Sequence, residues 1–306
     1  MMVGRTEIEV VSATGSAAAA QPLLPLPTRR FVIARRLLRN RLAVLGLLVL
    51  AALMAICFSA PLWLPYEHVL TQVRDATFAP PSAAALFGRD EFGRDAFARA
   101  VYGGRISLWV SLGSAIMATA IGTLLGMLAG YFGGWIDAII DRIIELFLTL
   151  PFLLLLILAA AVVRPSTTSI LLILGFFGWA VLARIVRGEF IAARQRDYIL
   201  AAEVVGCSWP RVAIRHMLPN VMAPIIVAGT LLFAGNITAE AAISFLGLGI
   251  QPPTPSWGNM LTNAQDYVIS SPFLAIFPGL LILITVLCVN LLGDGLRDAL
   301  DPRLRL

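Results

Sequence analysis

The sequence contains no lysine: all 23 basic residues among its 306 are arginine. A phosphate-binding loop needs its Gly-Lys-Ser/Thr, so the chain cannot carry a Walker-type nucleotide site. Lysine Schiff-base chemistry is excluded by the same absence. Cysteine and histidine are almost as scarce, at three and two residues. Cys57 and Cys288 fall in apolar runs and Cys207 in a polar interruption, with no metal-ligand spacing among them. His68 and His216 are separated by the topology derived below, so no shared metal site and no bound cofactor are expected. Charge is thin as well. Only 13% of residues are charged, against about a quarter in an ordinary soluble domain. The net charge of +5 is small, and no nucleic-acid partner is expected.

What is abundant is apolar surface. The chain is 59% hydrophobic, with a mean hydropathy of +0.87. A soluble fold of this length cannot bury that much, so membrane lipid is the expected surrounding. Six apolar segments approach the roughly 20 residues that a spanning helix needs. They fall near 42–62, 106–130, 136–162, 169–188, 221–248 and 273–293, which predicts an all-α polytopic membrane protein. The third is the least clean, because Asp137, Asp141, Arg142 and Glu145 crowd its first turns. Arg29, Arg30, Arg35, Arg36, Arg39 and Arg41 precede the first span. Further arginines flank or fill 189–219, and Arg297, Arg303 and Arg305 close the chain. Six spans put these three regions on one side, and the arginine bias makes it the cytoplasm, with both termini inside. The first span starts too late and runs too long for a cleaved signal, and reads as a retained anchor. Residues 1–28, rich in Ala, Ser, Thr and Pro, read as a disordered cytoplasmic tail. The first span and an external segment occupy 29–105, the main membrane domain 106–296, and a cytoplasmic tail 297–306.

Four local patterns stand out. In "DEFGRDAFARAVYGGRISL" apolar residues recur at helical spacing, while Asp90–Arg94 and Asp95–Arg99 form i,i+4 pairs on the other face. This predicts a short amphipathic helix on the outer interface, either a docking surface or a solvated connector. Gly122, Gly126 and Gly130 place one small residue per turn on the second span, a stripe for tight helix packing within the chain or against a second subunit. Glu240, with Asn236 and Ser244 about one turn to either side, is an ionisable group inside a span. It is either a pathway residue meeting cationic cargo or an interhelical hydrogen-bonding group. Finally, "RDYILAAEVVGCSWPRVAIRHMLPN" interrupts the apolar pattern at 196–219. A helix ending at Gly206, a cap at Ser208 and a break at Leu218-Pro219 predict a compact helix-glycine-helix elbow. Ala201 and Ala202 would give it close contact, and Arg211 and Arg215 would face water. A rigid knob for a partner's groove and a loop on the membrane surface both fit.

The elbow resembles the EAA motif of ABC importer permeases, in which Glu-Ala-Ala precedes a Gly and later an Ile-x-Leu-Pro. Here Leu200, Ala201, Ala202, Gly206, His216, Met217, Leu218 and Pro219 occupy those positions, with Leu200 in place of the Glu and His216 in place of the Ile. "FGRDEFGRDAFARAVYGGRISL", "GMLAGYFGGWIDAIIDRIIELFLTLPFLLL", "SFLGLGIQPPTPSWGNML" and "NLLGDGLRDALDPRLR" are similar to C-type subunits of dipeptide/oligopeptide permeases. The resemblance spans roughly 30–306. It implies a type I importer fold and a non-catalytic subunit that moves peptides by alternating access. It also implies a homologous B-type permease in a heterodimer, two ATPases that bind ATP and Mg, and an extracytoplasmic solute-binding protein. Ala201, Ala202, Gly206, Leu218 and Pro219 would then form the ATPase-coupling knob. Nickel and glutathione permeases share the template. A secondary transporter using Glu240 is the alternative outside this class, and no inverted repeat supports it.

Overall fold

The computed structural model describes residues 35–262, 264 and 266–300. The expected tail over 1–28 and the end of the closing segment lie outside the described residues. Those described form helices and turns with two isolated bridges, and no strand is among them. Helix α1 spans Arg41–Trp63, and the Asn40 side chain accepts from the Ala43 N–H at 3.2 Å to cap it. A short α2, Glu67–Leu70, and turns lead to α3, Ala96–Phe132, of 37 residues. At 1.5 Å per residue α3 is about 55 Å long, more than a bilayer core requires.

The separate interfacial helix expected across 90–105 is not there. Residues 90–95 are turns, Asp95 caps α3, and the helix then runs into the membrane span without a break. Asp95 Oδ1 accepts from the N–H groups of Phe97 and Ala98 at 2.8 and 3.2 Å, so it does not pair with Arg99. Arg99 instead lies 3.4 Å from Asp90, which also holds Arg94 at 2.7 Å, and all three are buried. Two adjacent glycines, Gly103 and Gly104, do not interrupt the helix because the chain folds back on them: their Cα positions face Ser256 and Trp257.

The third expected span is a broken one. Helices α4, Gly134–Thr149, and α5, Phe152–Val162, meet at 88°. Pro151 lacks an N–H and forces Leu150 into extended backbone (φ −86°, ψ 139°), which ends α4. Helices α6, Thr167–Phe177, and α7, Trp179–Arg194, run on as one span. The polar interruption holds α8, Asp197–Val204, then α9, Trp209–Arg211, and a π-helical turn, Val212–Met217. Helix α10, Leu218–Phe245, continues directly from that turn. The short α11, Trp257–Leu261, and α12, Phe273–Leu300, complete the described chain. Among the described residues five helical stretches are long and apolar enough to cross a membrane, and six if the bent pair is one span.

Leu218-Pro219 therefore does not break the chain. Pro219 sits in the first turn of α10, and the Leu218 N–H reaches back to the Ala213 carbonyl, an i to i−5 bond. The wider π turn shifts the register just before the ring, where the proline's absent donor and bulk are tolerated. Helix α3 is the hub of the bundle, packed most extensively on α7 and also on α6, α10 and α1. Leu50, Leu108, Ile237, Trp257 and Val289 join α1, α3, α10, α11 and α12 in one buried cluster.

Candidate functional site

The elbow is built on a Schellman motif. The Gly206 N–H bonds the Glu203 carbonyl at 3.0 Å and the Cys207 N–H bonds the Ala202 carbonyl at 3.1 Å. Gly206 has φ +84°, the left-handed region that glycine enters freely and that a β-branched residue strains to enter. Ala202, Cys207 and Leu218 pack against a buried cluster that includes Ile199, Val212, Met217 and Val221. Ala201 and Pro219 are exposed, as are Arg211 and Arg215. Ser208 makes no side-chain cap, so α9 starts on Pro210's favourable early position alone. At the apex Val204 and Val205 are 88% and 83% exposed, an apolar tip held out from the bundle.

Sequence reading missed the groups that tie this elbow to the spans. Tyr131, in the last turn of α3, donates its hydroxyl to Glu203 Oε1 at 3.3 Å. Arg194 Nη1 donates to the Tyr131 carbonyl at 2.6 Å, and Trp209 lies with its ring centroid 5.2 Å from Phe132. Nothing in the local pattern marks these residues, because the hydrogen-bonded partners are 72 and 63 positions apart.

The glycine stripe faces α7 of the same chain. A Cβ at Gly122, Gly126 or Gly130 would stand 2.8, 2.5 or 2.7 Å from the carbonyl of Trp179, Ala183 or Arg187. Such spacing brings two backbones into contact, which a larger residue would prevent. Near the same crossing Arg187 forms a two-pronged pair with Asp137 (Nη2 to Oδ2, 2.8 Å) and approaches Asp141 at 3.4 Å, tying α4 to α7. Arg142 and Glu145 pair with each other at 2.9 Å on the exposed side.

Glu240, Asn236 and Ser244 lie in a buried seam between α10 and α3. None is more than 1% exposed. Glu240 Oε2 accepts from Ser107 at 2.9 Å and Oε1 from Ser244 at 2.8 Å, while Asn236 donates to Ser114 at 2.8 Å. The Trp257 N–H reaches Ser107 Oγ at 3.2 Å, and the Ile250 N–H reaches Ser244 Oγ at 3.2 Å. The seam thus anchors the loop between α10 and α11. A signal for it was present: Ser107, Ser111 and Ser114 recur at i, i+4 and i+7 on one face of α3, matching Asn236, Glu240 and Ser244 on α10.

Comparison with known proteins adds family information to this geometry. Residues 122–306 match the family described as binding-protein-dependent transport system inner membrane component. Residues 30–81 match the N-terminal membrane domain of oligopeptide transport permease C. A putative peptide permease protein of Brucella ovis is 40% identical over 275 residues, covering 89% of this chain and 91% of the relative. The dipeptide transport system permease protein DppC of Alkalihalophilus pseudofirmus is 41% identical over 271 residues, covering 89% of each. A crystal structure of an amino acid ABC transporter aligns with a TM-score of 0.49 at 18% identity, over 68% of this chain and 95% of that one.

Proposed function

The chain belongs to the family of binding-protein-dependent transport system inner membrane components, and from that premise we propose that it is the C-type permease subunit of an ATP-driven importer of di- and oligopeptides. Members of this family are membrane translocation subunits and not catalytic enzymes. The observation that carries the cargo assignment is the similarity to peptide and dipeptide permeases across 89% of the chain. The elbow supports coupling to a separate ATPase. Its Schellman turn is rigid, its valine tip is exposed, and its far side is continuous with α10, so a push on the tip moves a span. The chain has no lysine with which to bind ATP, so nucleotide and Mg belong on the partner ATPases. A B-type permease completes the transmembrane pair, a solute-binding protein delivers cargo outside, and the elbow and both termini face the cytoplasm. Transport then proceeds by alternating access.

A tagged chain purified from its native membrane is expected to bring down a second permease and two ATPases. The reconstituted complex should take up labelled dialanine only with ATP and the binding protein. The chain alone should hydrolyse no ATP. Hydrolysis surviving removal of every other polypeptide would overturn the assignment.

For Glu240 the two engaged oxygens support a bracing role. Glu240→Gln keeps the shape and one acceptor, and its NH2 can donate to the other serine oxygen once that hydroxyl turns. Uptake and complex yield should therefore stay close to wild type. Glu240→Ala strands Ser107 and Ser244 in a buried seam and leaves a void, a cost on the order of 2 kcal/mol or more. Its yield should fall. A normal yield of Glu240→Gln with lost uptake would show instead that the charge meets cargo.

A further inference from the structure

The N-terminal end of α3 carries an arginine that has no partner among the described residues. Arg105 is exposed and makes no hydrogen bond or ion pair among the described residues. Arg99 on the same helix and Arg94 in the turn before it are different, since both are committed to Asp90. An arginine near a helix end can reach the interface at little cost, so what singles out Arg105 is the aromatic cavity that it lines.

Arg105 lines a cavity of about 740 Å³ with Phe58, Tyr66, Tyr102 and Trp109, and with Thr167 and Thr254 at its margin. The volume falls in the usual range for small-ligand sites, roughly 300–1,000 Å³, and the lining is the usual mixture of aromatic walls and few polar groups. Tyr66 and Tyr102 meet edge to face at 5.0 Å, and the Tyr102 hydroxyl is fixed on the Leu64 carbonyl at 2.7 Å, so this wall is preorganised. A guanidinium presents a planar fork of donors matched to a carboxylate.

Below Arg105 the same face of α3 stays uncovered. Trp109, Ile116 and Leu124 are 57%, 62% and 52% exposed. That face passes into a second cavity of about 810 Å³, lined among others by Leu112, Ile116 and Thr123 and reaching Leu218 and Met222 at the elbow end. An arginine-headed aromatic site at one end and an apolar groove at the other therefore share one helix face. The Glu240 carboxylate itself is fully buried, although Ser244 beside it lines a smaller cavity of about 370 Å³.

We propose that Arg105 receives the free carboxylate of a peptide at the outer entrance of the route, with Trp109 and the two tyrosines against its side chains. This rests on the peptide-importer reading above. The test uses the whole complex in phosphatidylcholine proteoliposomes, with and without phosphatidylglycerol, and labelled dialanine as probe. Arg105→Gln should raise KM for dialanine by about tenfold or more, the loss expected for a charge-assisted hydrogen bond. Arg105→Lys should restore part of that, and the melting temperature of the complex should not move. Unchanged KM would overturn the assignment, as would a defect accompanied by a lowered melting temperature. A defect that tracks phosphatidylglycerol would mean a lipid headgroup is the anion. A shift only in the concentration of binding protein needed for half-maximal uptake would mean a docking contact. If the wild-type complex takes up no dialanine, the importer reading falls first and this assignment falls with it.

Discussion

Replacing Gly206 by Val is expected to uncouple ATP hydrolysis from uptake while leaving the chain in the membrane. Gly206 has φ +84°, and a Cβ placed there would meet nothing within 4 Å. Its demand is therefore one of backbone conformation, not of space. A β-branched residue held in that region costs on the order of 1–3 kcal/mol, which the elbow escapes by unwinding its Schellman turn. The valine tip then loses its fixed relation to α10, and a push from an ATPase is absorbed locally. Uptake should fall by about tenfold or more, with the ATPase more easily washed from the purified complex. Gly206→Asn should be much milder, because Asn tolerates the left-handed region. Arg211→Ala, on an exposed position, should also be mild. Retained ATPase and vesicle uptake, measured for all three, decide the matter. Full coupling in Gly206→Val, or a larger loss in Arg211→Ala, would remove the elbow from the power stroke.

The other large effect is expected at the crossing of α3 and α7. A Cβ at Gly126 would lie 2.5 Å from the Ala183 carbonyl and 2.8 Å from Val186 Cβ. Neither a carbonyl in a helix nor a branched Cβ can rotate away. Gly126→Val must push the helices apart, lengthening the contacts along the most extensive packing in the bundle, at a cost of about 3 kcal/mol or more. The expected result is loss of folded chain, read as complex yield and melting temperature. Gly188→Ala is the control, since Gly188 sits in the same α7 with nothing within 4 Å of its added Cβ. It should be neutral or slightly stabilising, as alanine is the better helix former. Normal yield in Gly126→Val would show that the crossing is looser than its geometry states.

Much of this was open to reading along the chain. Run length and apolarity located the spans, and Gly206 announced the turn because a left-handed residue is a local property. The errors came where a simple local rule met a neighbouring irregularity or a non-local contact. Pro219 reads as a break, yet the π turn before it absorbs the ring. Apolar residues at helical spacing and the i,i+4 charge pairs Asp90–Arg94 and Asp95–Arg99 suggested a short separate helix. Packing on Ser256 and Trp257 carries one helix through instead. Asp95 and Arg99 have ideal pairing spacing, but capping the helix and binding Asp90 took precedence.

By itself the sequence determined the membrane setting, the helical class and the glycine turn of the elbow, because each depends on composition or on neighbours within a few turns. The tertiary structure decided which groups meet. Ser107 reaches Glu240 across 133 positions and Ser114 reaches Asn236 across 122. Such pairings follow from how long helices cross, and short-range periodicity does not encode that. The same crossings buried Glu240, committed the glycine stripe to α7 and left Arg105 exposed in an aromatic-lined cavity.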